Sequence, residues 1–252
     1  MPEGPSLLIL RKLIETLQLE GLEVIVAEGT ADIDMDRIIG KKVNAIRTWG
    51  KHLLICFDQL TIKIHLMMFG TYRINERKDG DVKIRLGFKN AELNFYTCLV
   101  SLIEGDLDQV YDWSVDILSD QWDPKEILKK LKQQDSALIC DVLLDQKIFS
   151  GSGNIIKNEV LYRTRVHPLS TVGSIPAPIK KAIIAEARNY GFDFFKWKRE
   201  NTLSKHWEAY NKEQCPLKHP IEKIETGKNK RISFVCKQCQ KLYKMESNTT
   251  IF

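Results

Sequence analysis

The feature that most constrains this chain is a change of hydrophobic period near residues 115–123. Before it, seven short segments have strand character: Leu22-Val26, Val43-Trp49, His52-Phe57, Thr61-Leu66, Thr71-Ile74, Val82-Phe88 and Glu92-Thr97. Several alternate polar and apolar residues with Gly or Asp between them, the pattern of a sandwich or barrel. After it, Pro124 opens Lys125-Lys132, and Ala137-Leu144, Ile155-Tyr162 and Pro178-Tyr190 repeat at helical spacing. A helix also starts the chain, because Pro5 suits a first turn and Leu7, Leu10, Ile14 and Leu17 fall on one face before Gly21. A strand-rich part followed by a helical part predicts an α+β chain of more than one domain.

The 252 residues are 43% apolar, enough to bury a core. No apolar run approaches the roughly 18 residues of a membrane span, and the first residues carry no basic segment, so no membrane partner is expected. Cys56, Cys98 and Cys140 stand alone in apolar runs and read as small buried hydrophobes of a reducing compartment, a cytoplasmic setting.

Charge is arranged in blocks. Lys41 to Lys89 holds eleven Lys and Arg against four Asp and Glu; Lys196 to Phe252 holds thirteen against six. Between them, Glu104 to Asp145 holds four against eleven. Two basic blocks flanking an acidic one suggest a polyanion surface assembled from separate parts of the chain.

Three local patterns could carry chemistry. Cys215-x3-His219-x16-Cys236-x2-Cys239 brings two ligand pairs to the ends of a hairpin-length loop, the spacing of a structural zinc site. Lys228, Lys230 and Arg231 make its tip basic, as a phosphate-grasping finger would be. Ser150-Gly151-Ser152-Gly153-Asn154 precedes a helix whose positive end favours an anion, with Asn154 adding an amide; no Walker lysine follows. Pro2 would become a secondary amine on removal of Met1, able to attack an electrophilic carbon, with Glu3 beside it as a general acid or base.

These patterns recur in one order in a known family. Pro2-Glu3-Gly4-Pro5, Gly50-Lys51-His52-Leu53-Leu54, His65-Leu66-Met67-Met68-Phe69-Gly70, Leu143-Leu144-Asp145-Gln146 through Asn154-Ile155 to Glu159, His167-Pro168, and Arg231-x-Ser233-Phe234-x-Cys236-x2-Cys239-Gln240 resemble the formamidopyrimidine-DNA glycosylase and endonuclease VIII family. The resemblance implies an N-terminal helix plus a two-layered β-sandwich over 1–118, a helix-two-turn-helix domain over 123–210, and a zinc-finger β-hairpin with a tail over 211–252. It implies damaged double-stranded DNA as partner to a monomer, and excision of oxidised bases followed by strand cleavage.

By the same resemblance, Pro2, Glu3 and Lys51 are catalytic, Met68 enters the gap left by a flipped base, and Asn154, Lys230 and Arg231 hold the DNA backbone. A packed core methionine is the ordinary alternative for Met68. The purine-lesion branch supplies Arg and Phe from an Asp-Pro-Arg-Arg-Phe-Gly run, and this chain reads Thr97-Cys98-Leu99-Val100-Ser101-Leu102 there. That departure points to the endonuclease VIII branch and to pyrimidines. His219 stands where most relatives have cysteine, one residue further along, and Lys241 to Phe252 extend past the point where many relatives stop. The size and absent targeting signals suggest a bacterial nucleoid. A non-catalytic zinc-finger DNA-binding module on the same fold, or an RNA-binding zinc protein, would share the basic blocks without needing Pro2 and Glu3.

Overall fold

The computed structural model describes residues 2–244 and divides after Asp112 into two compact units. The first begins with α1 (Gly4–Glu15), which has Pro5 in its first turn and buries Leu7, Leu10 and Ile14. Arg11 and Lys12 both pair with Glu15 on its outer side, at 2.6 and 2.9 Å. Eight strands follow: β1 (Val26–Glu28), β2 (Ala45–Trp49), β3 (His52–Phe57), β4 (Leu60–His65), β5 (Thr71–Ile74), β6 (Ile84–Gly87), β7 (Glu92–Tyr96) and β8 (Leu99–Glu104). They form two antiparallel sheets, ordered β1-β6-β7-β5 and β2-β3-β4-β8.

The inward positions of the two sheets make one core with α1. Leu53, Ile55, Ile62 and Ile64 come from one sheet, and Ile84, Leu86, Leu93 and Phe95 from the other. The alternation along each strand therefore puts one face inside, as the two-residue period requires. The sequence pattern found β3 and β5 to the residue. It offered no strand at 99–104, because β8 is an edge strand whose side chains are half-covered or exposed and leave no clean alternation. Thr97 and Cys98 alone join β7 to β8, so the chain turns from one sheet to the other there, with Thr97 at φ 52°. A short helix, α2 (Leu107–Val110), is capped by the Asp106 carboxylate, which accepts from Asp108 N.

The second unit is helical and ends in a hairpin. Asp123 caps α3 (Pro124–Lys132) by accepting from Lys125 N at 2.8 Å, and Ile127 and Leu131 are its buried stripe. Then come α4 (Ile139–Val142), α5 (Asn154–Arg163) and α6 (Ala177–Arg199), followed by β9 (Glu222–Thr226) paired antiparallel with β10 (Arg231–Val235). Helix α4 is shorter than the pattern over 137–144 suggested, and α6 runs nine residues beyond Tyr190. Nothing in Gly191-Arg199 breaks it, and Gly191 is a packing position: a Cβ there would meet Ile117 Cδ1 at 3.2 Å and Leu118 Cδ2 at 3.3 Å. Cys56, Cys98 and Cys140 are buried and unpaired, as expected of small core residues. Among the described residues, no helix is long and apolar enough to cross a membrane.

Of the tail, residues 241–244 are described and 245–252 lie outside the described residues. Lys241 N donates to Arg165 O at 2.8 Å, His167 N to Lys241 O at 2.8 Å, and Thr171 N to Tyr243 O at 3.0 Å. The start of the tail thus pairs with the loop after α5.

Phe95 is 1% exposed at the centre of the sandwich. Phe95→Ala is expected to lower unfolding free energy by about 3–5 kcal/mol, read from urea unfolding, because the cavity cannot close between two hydrogen-bonded sheets.

Candidate nucleic-acid interface and metal centre

In the first unit, Pro2 and Glu3 stand directly before α1. Glu3 occupies its N-cap position in extended conformation, its carbonyl accepts from Ser6 N at 2.8 Å, and the residue is 1% exposed. The positive end of the helix dipole is therefore local to Pro2 and Glu3. Met1 lies outside the described residues.

Lys51 sits in the tight turn between β2 and β3, following Gly50 at φ 54°. Register places His52 opposite His65 on β4, and the two rings meet edge to face at 5.4 Å. His52 Nδ1 lies 3.2 Å from Tyr111 Oη, and Trp49 packs against Tyr111 at 4.7 Å while donating from Nε1 to Asp112 O at 2.9 Å. Burial, then the charges of His65, Lys63 and Lys51, hold His52 down at about 4; burial, Lys51 and Lys63 also lower His65. Burial pushes Tyr111 up to about 12, so it stays a phenol that can donate to neutral His52. Sequence reasoning singled out Lys51 and His65 but missed the Trp49–His52–Tyr111 cluster, since Tyr111 is 59 residues from His52 and no linear spacing links them.

Met68 is no core residue: it is 46% exposed in the turn after β4, between Met67 at 43% and Phe69 at 75%. His65 Nδ1 lies 2.9 Å from Met67 Sδ at the base of this turn.

In the second unit, Asn154, Lys230 and Arg231 line one groove of about 750 Å³, together with Lys223, Asn229, Tyr210, Ile232 and Phe234. Asn154 opens α5 after a Gly-rich turn braced by Gln146, whose amide donates to Leu144 O and Ser152 O and accepts from Gly151 N. One face of α5 is tied to β10. Asn154 Nδ2, Lys157 Nζ and Asn158 Nδ2 all point to Ile232 O, at 3.1, 3.2 and 3.4 Å, and Asn158 Oδ1 accepts from Phe234 N at 2.8 Å. The hairpin turn is fixed from α4: Asp141 Oδ1 accepts from Lys228 N at 2.9 Å. Gly227, at φ 71°, lies so close that a Cβ would stand 2.0 Å from that oxygen. Glu159, wholly buried, accepts from the backbone N–H groups of Glu208, Ala209 and Tyr210 at 3.0, 3.0 and 2.7 Å, while burial raises its carboxyl above the ordinary range.

Those three N–H groups position the chain entering the Cys/His cluster. The donor atoms of Cys215, His219, Cys236 and Cys239 lie within 4.8 Å of one another. Cys215 Sγ is 3.8 Å from Cys236 Sγ and 3.9 Å from Cys239 Sγ, and His219 Nδ1 is 3.3 Å from Cys239 Sγ. Metal–sulfur bonds of about 2.3 Å give tetrahedral S···S edges of about 3.8 Å, so the donor set fits a four-coordinate metal ion. Gln240, next along, accepts from Cys236 N at 2.8 Å and donates to Val166 O at 2.9 Å.

Two compact units of this kind, a helix-led β-sandwich and a helical unit ending in a Cys/His hairpin, make up a fold found in solved DNA glycosylases. A viral DNA glycosylase superposes over 95% of this chain and 100% of its own, with a TM-score of 0.79 and 19% identity. Lactococcus lactis formamidopyrimidine-DNA glycosylase, solved non-covalently bound to DNA containing an abasic site, covers 95% and 99% with a TM-score of 0.82 and 22% identity. The model of the formamidopyrimidine-DNA glycosylase N-terminal domain matches residues 1–98, and that of the same enzymes' H2TH domain matches 114–189. Endonuclease 8-like 2 of Mus musculus is 32% identical over 72% of this chain, and endonuclease 8-like 3 of Xenopus laevis 26% identical over 86%. The chain spans 58% and 38% of the lengths of those two relatives. It belongs to the formamidopyrimidine-DNA glycosylase and endonuclease VIII family, on the endonuclease VIII side.

His52 titrates below its ordinary value, so its neutral form belongs to the fold. Stability from this residue is intact above pH 6.5 and falls as the pH drops toward 4. An NMR titration is expected to give a His52 midpoint near 4; a midpoint near 6.5 would refute the buried pairing with Tyr111.

Proposed function

We propose that this chain is a bifunctional DNA glycosylase and abasic-site lyase that removes oxidised pyrimidines through an N-terminal proline Schiff base. The observation that carries this reading is the 1% exposed carboxylate of Glu3 directly behind Pro2 at the head of α1. Burying a carboxylate costs free energy unless partners hold it, and an acid beside Pro2 is what the proposed chemistry needs.

In the proposed reaction, the damaged nucleotide is first flipped from the duplex, which costs a few kcal/mol and less where damage has weakened pairing. The Pro2 nitrogen, freed by removal of Met1, attacks the anomeric carbon. The base leaves with the glycosidic electron pair and takes up the proton that the Pro2 nitrogen gives up, and Glu3 protonates the ring oxygen as the sugar opens to an iminium. Loss of the proton beside the iminium carbon sends electrons toward nitrogen and expels the 3′ phosphate, a β-elimination; a second, δ-elimination expels the 5′ phosphate. The Lys51 charge and the helix dipole both favour the unprotonated amine on which the first step depends.

Met68 is proposed to enter the gap left by the flipped base. The two-residue Thr97-Cys98 corner leaves no loop there to supply the Arg and Phe of the purine-lesion branch, whereas Met67 and Phe69 present further exposed apolar surface beside Met68. Asn154, Lys230 and Arg231 are assigned to the DNA backbone because they share one basic groove at a helix N-terminus. Zinc is the metal proposed for Cys215, His219, Cys236 and Cys239. It would supply structure only, closing the hairpin that carries Arg231. The proposed working unit is a monomer on damaged duplex DNA, in the bacterial nucleoid.

Borohydride trapping on abasic-site DNA tests the reaction directly, because only an imine becomes covalently fixed on reduction. The unmodified protein is expected to trap, and Pro2→Gly or retention of Met1 to abolish it. DNA binding without trapping in the unmodified protein would instead support the non-catalytic module. Cys236→Ser is expected to release zinc, read by metal analysis, and to abolish DNA binding while the β-sandwich remains folded.

A further inference from the structure

Lys157 is wholly buried in the second turn-face of α5, yet its amino group is not idle. Its Nζ donates to Ser233 Oγ at 2.8 Å and to Ile232 O at 3.2 Å. Ser233 Oγ lies 2.6 Å from Thr226 Oγ1, and that hydroxyl donates to Arg231 O at 3.2 Å. All three side chains are buried: Lys157 and Ser233 at 0%, Thr226 at 5%. The two peptides following Arg231 are thus both gripped, the second at the Ile232 carbonyl directly and the first at the Arg231 carbonyl through two hydroxyls. The same Ile232 carbonyl accepts from Asn154 Nδ2, so Asn154 is tied to the residue next to Arg231, and Asn154 and Arg231 both line the groove. An amino group buried this deeply is expensive unless its hydrogen bonds are made, and a methionine, one atom shorter, would fill most of the space without that cost.

We propose that Lys157 is a positioning residue that sets Arg231 and Asn154 on one phosphate without itself touching DNA. The inference rests on the reading of the groove as a DNA-backbone site. Lys157 acts through the hairpin: remove its donors and Arg231 is no longer held at the height of Asn154, while the metal cluster and the N-terminal unit are untouched.

The test compares Lys157→Met, Arg231→Ala and the double variant of the zinc-loaded full chain on a duplex carrying a tetrahydrofuran abasic analogue, with affinity read by fluorescence anisotropy across a salt series. Lys157→Met is expected to weaken binding about tenfold and to flatten the slope of log affinity against log salt by about one, as for loss of one phosphate contact, although the residue is inaccessible to phosphate. On a true abasic site KM should rise with kcat unchanged, and in the Arg231→Ala background Lys157→Met should add almost nothing. Unchanged affinity in zinc-loaded Lys157→Met, or full additivity with Arg231→Ala, overturns the proposal. Ser233→Ala, a smaller change that cuts the relay to the Arg231 carbonyl, should weaken binding in the same direction; if Lys157→Met does not fold, unchanged affinity in Ser233→Ala overturns the proposal by itself. Failure of the unmodified protein to bind the duplex would strike the DNA reading, whereas normal binding with insensitive variants strikes only Lys157.

Discussion

The second unit depends on how a two-stranded hairpin satisfies its open edge. β10 pairs with β9 on one side only, and an isolated two-stranded ribbon is marginal in water. Its other edge is met by the polar face of α5, where Asn154, Lys157 and Asn158 supply donors to Ile232 O and Asn158 accepts from Phe234 N. Side-chain amides and an amine take the part of a third strand. Because those side chains lie on one helix, the hairpin's register is set by the helix rather than by the turn alone.

The other fastenings of the hairpin follow from that one. Asp141 holds the turn through Lys228 N, Gln240 ties the Cys236 end to Val166, and the first residues of the tail pair with 165–171. Glu159, one position beyond Asn158 on the same helix, holds the bend at 208–210. A metal ion at Cys215, His219, Cys236 and Cys239 would tie the Cys236 end of the hairpin to the chain that runs on from 208–210.

In the first unit the ordering principle is different. Two sheets share a core with α1, and the polar cluster forms where the sheet register brings His52 opposite His65 beside Lys51 and Lys63. Burial, and after it the neighbouring positive charges, lowers both histidines, His52 to about 4. The exposed Met67-Met68-Phe69 turn leaves the same strand, β4, at its end.

Much of this was legible in the sequence. Local periodicity located α1, most strands and the later helices, because core-facing positions repeat at 2 or 3.6 residues whatever their partners. The Cys/His spacing marked the donor cluster that could hold a metal ion, since residues at the ends of a short hairpin must be near one another. The motif order identified the family. Strand β8 escaped because an edge strand has no fully buried face to impose alternation. Tyr111 beside His52, Asp141 under Gly227, and Lys157 under Arg231 were also beyond reach. Each pairs residues dozens of positions apart, and only the tertiary structure decides which polar groups meet where water is excluded.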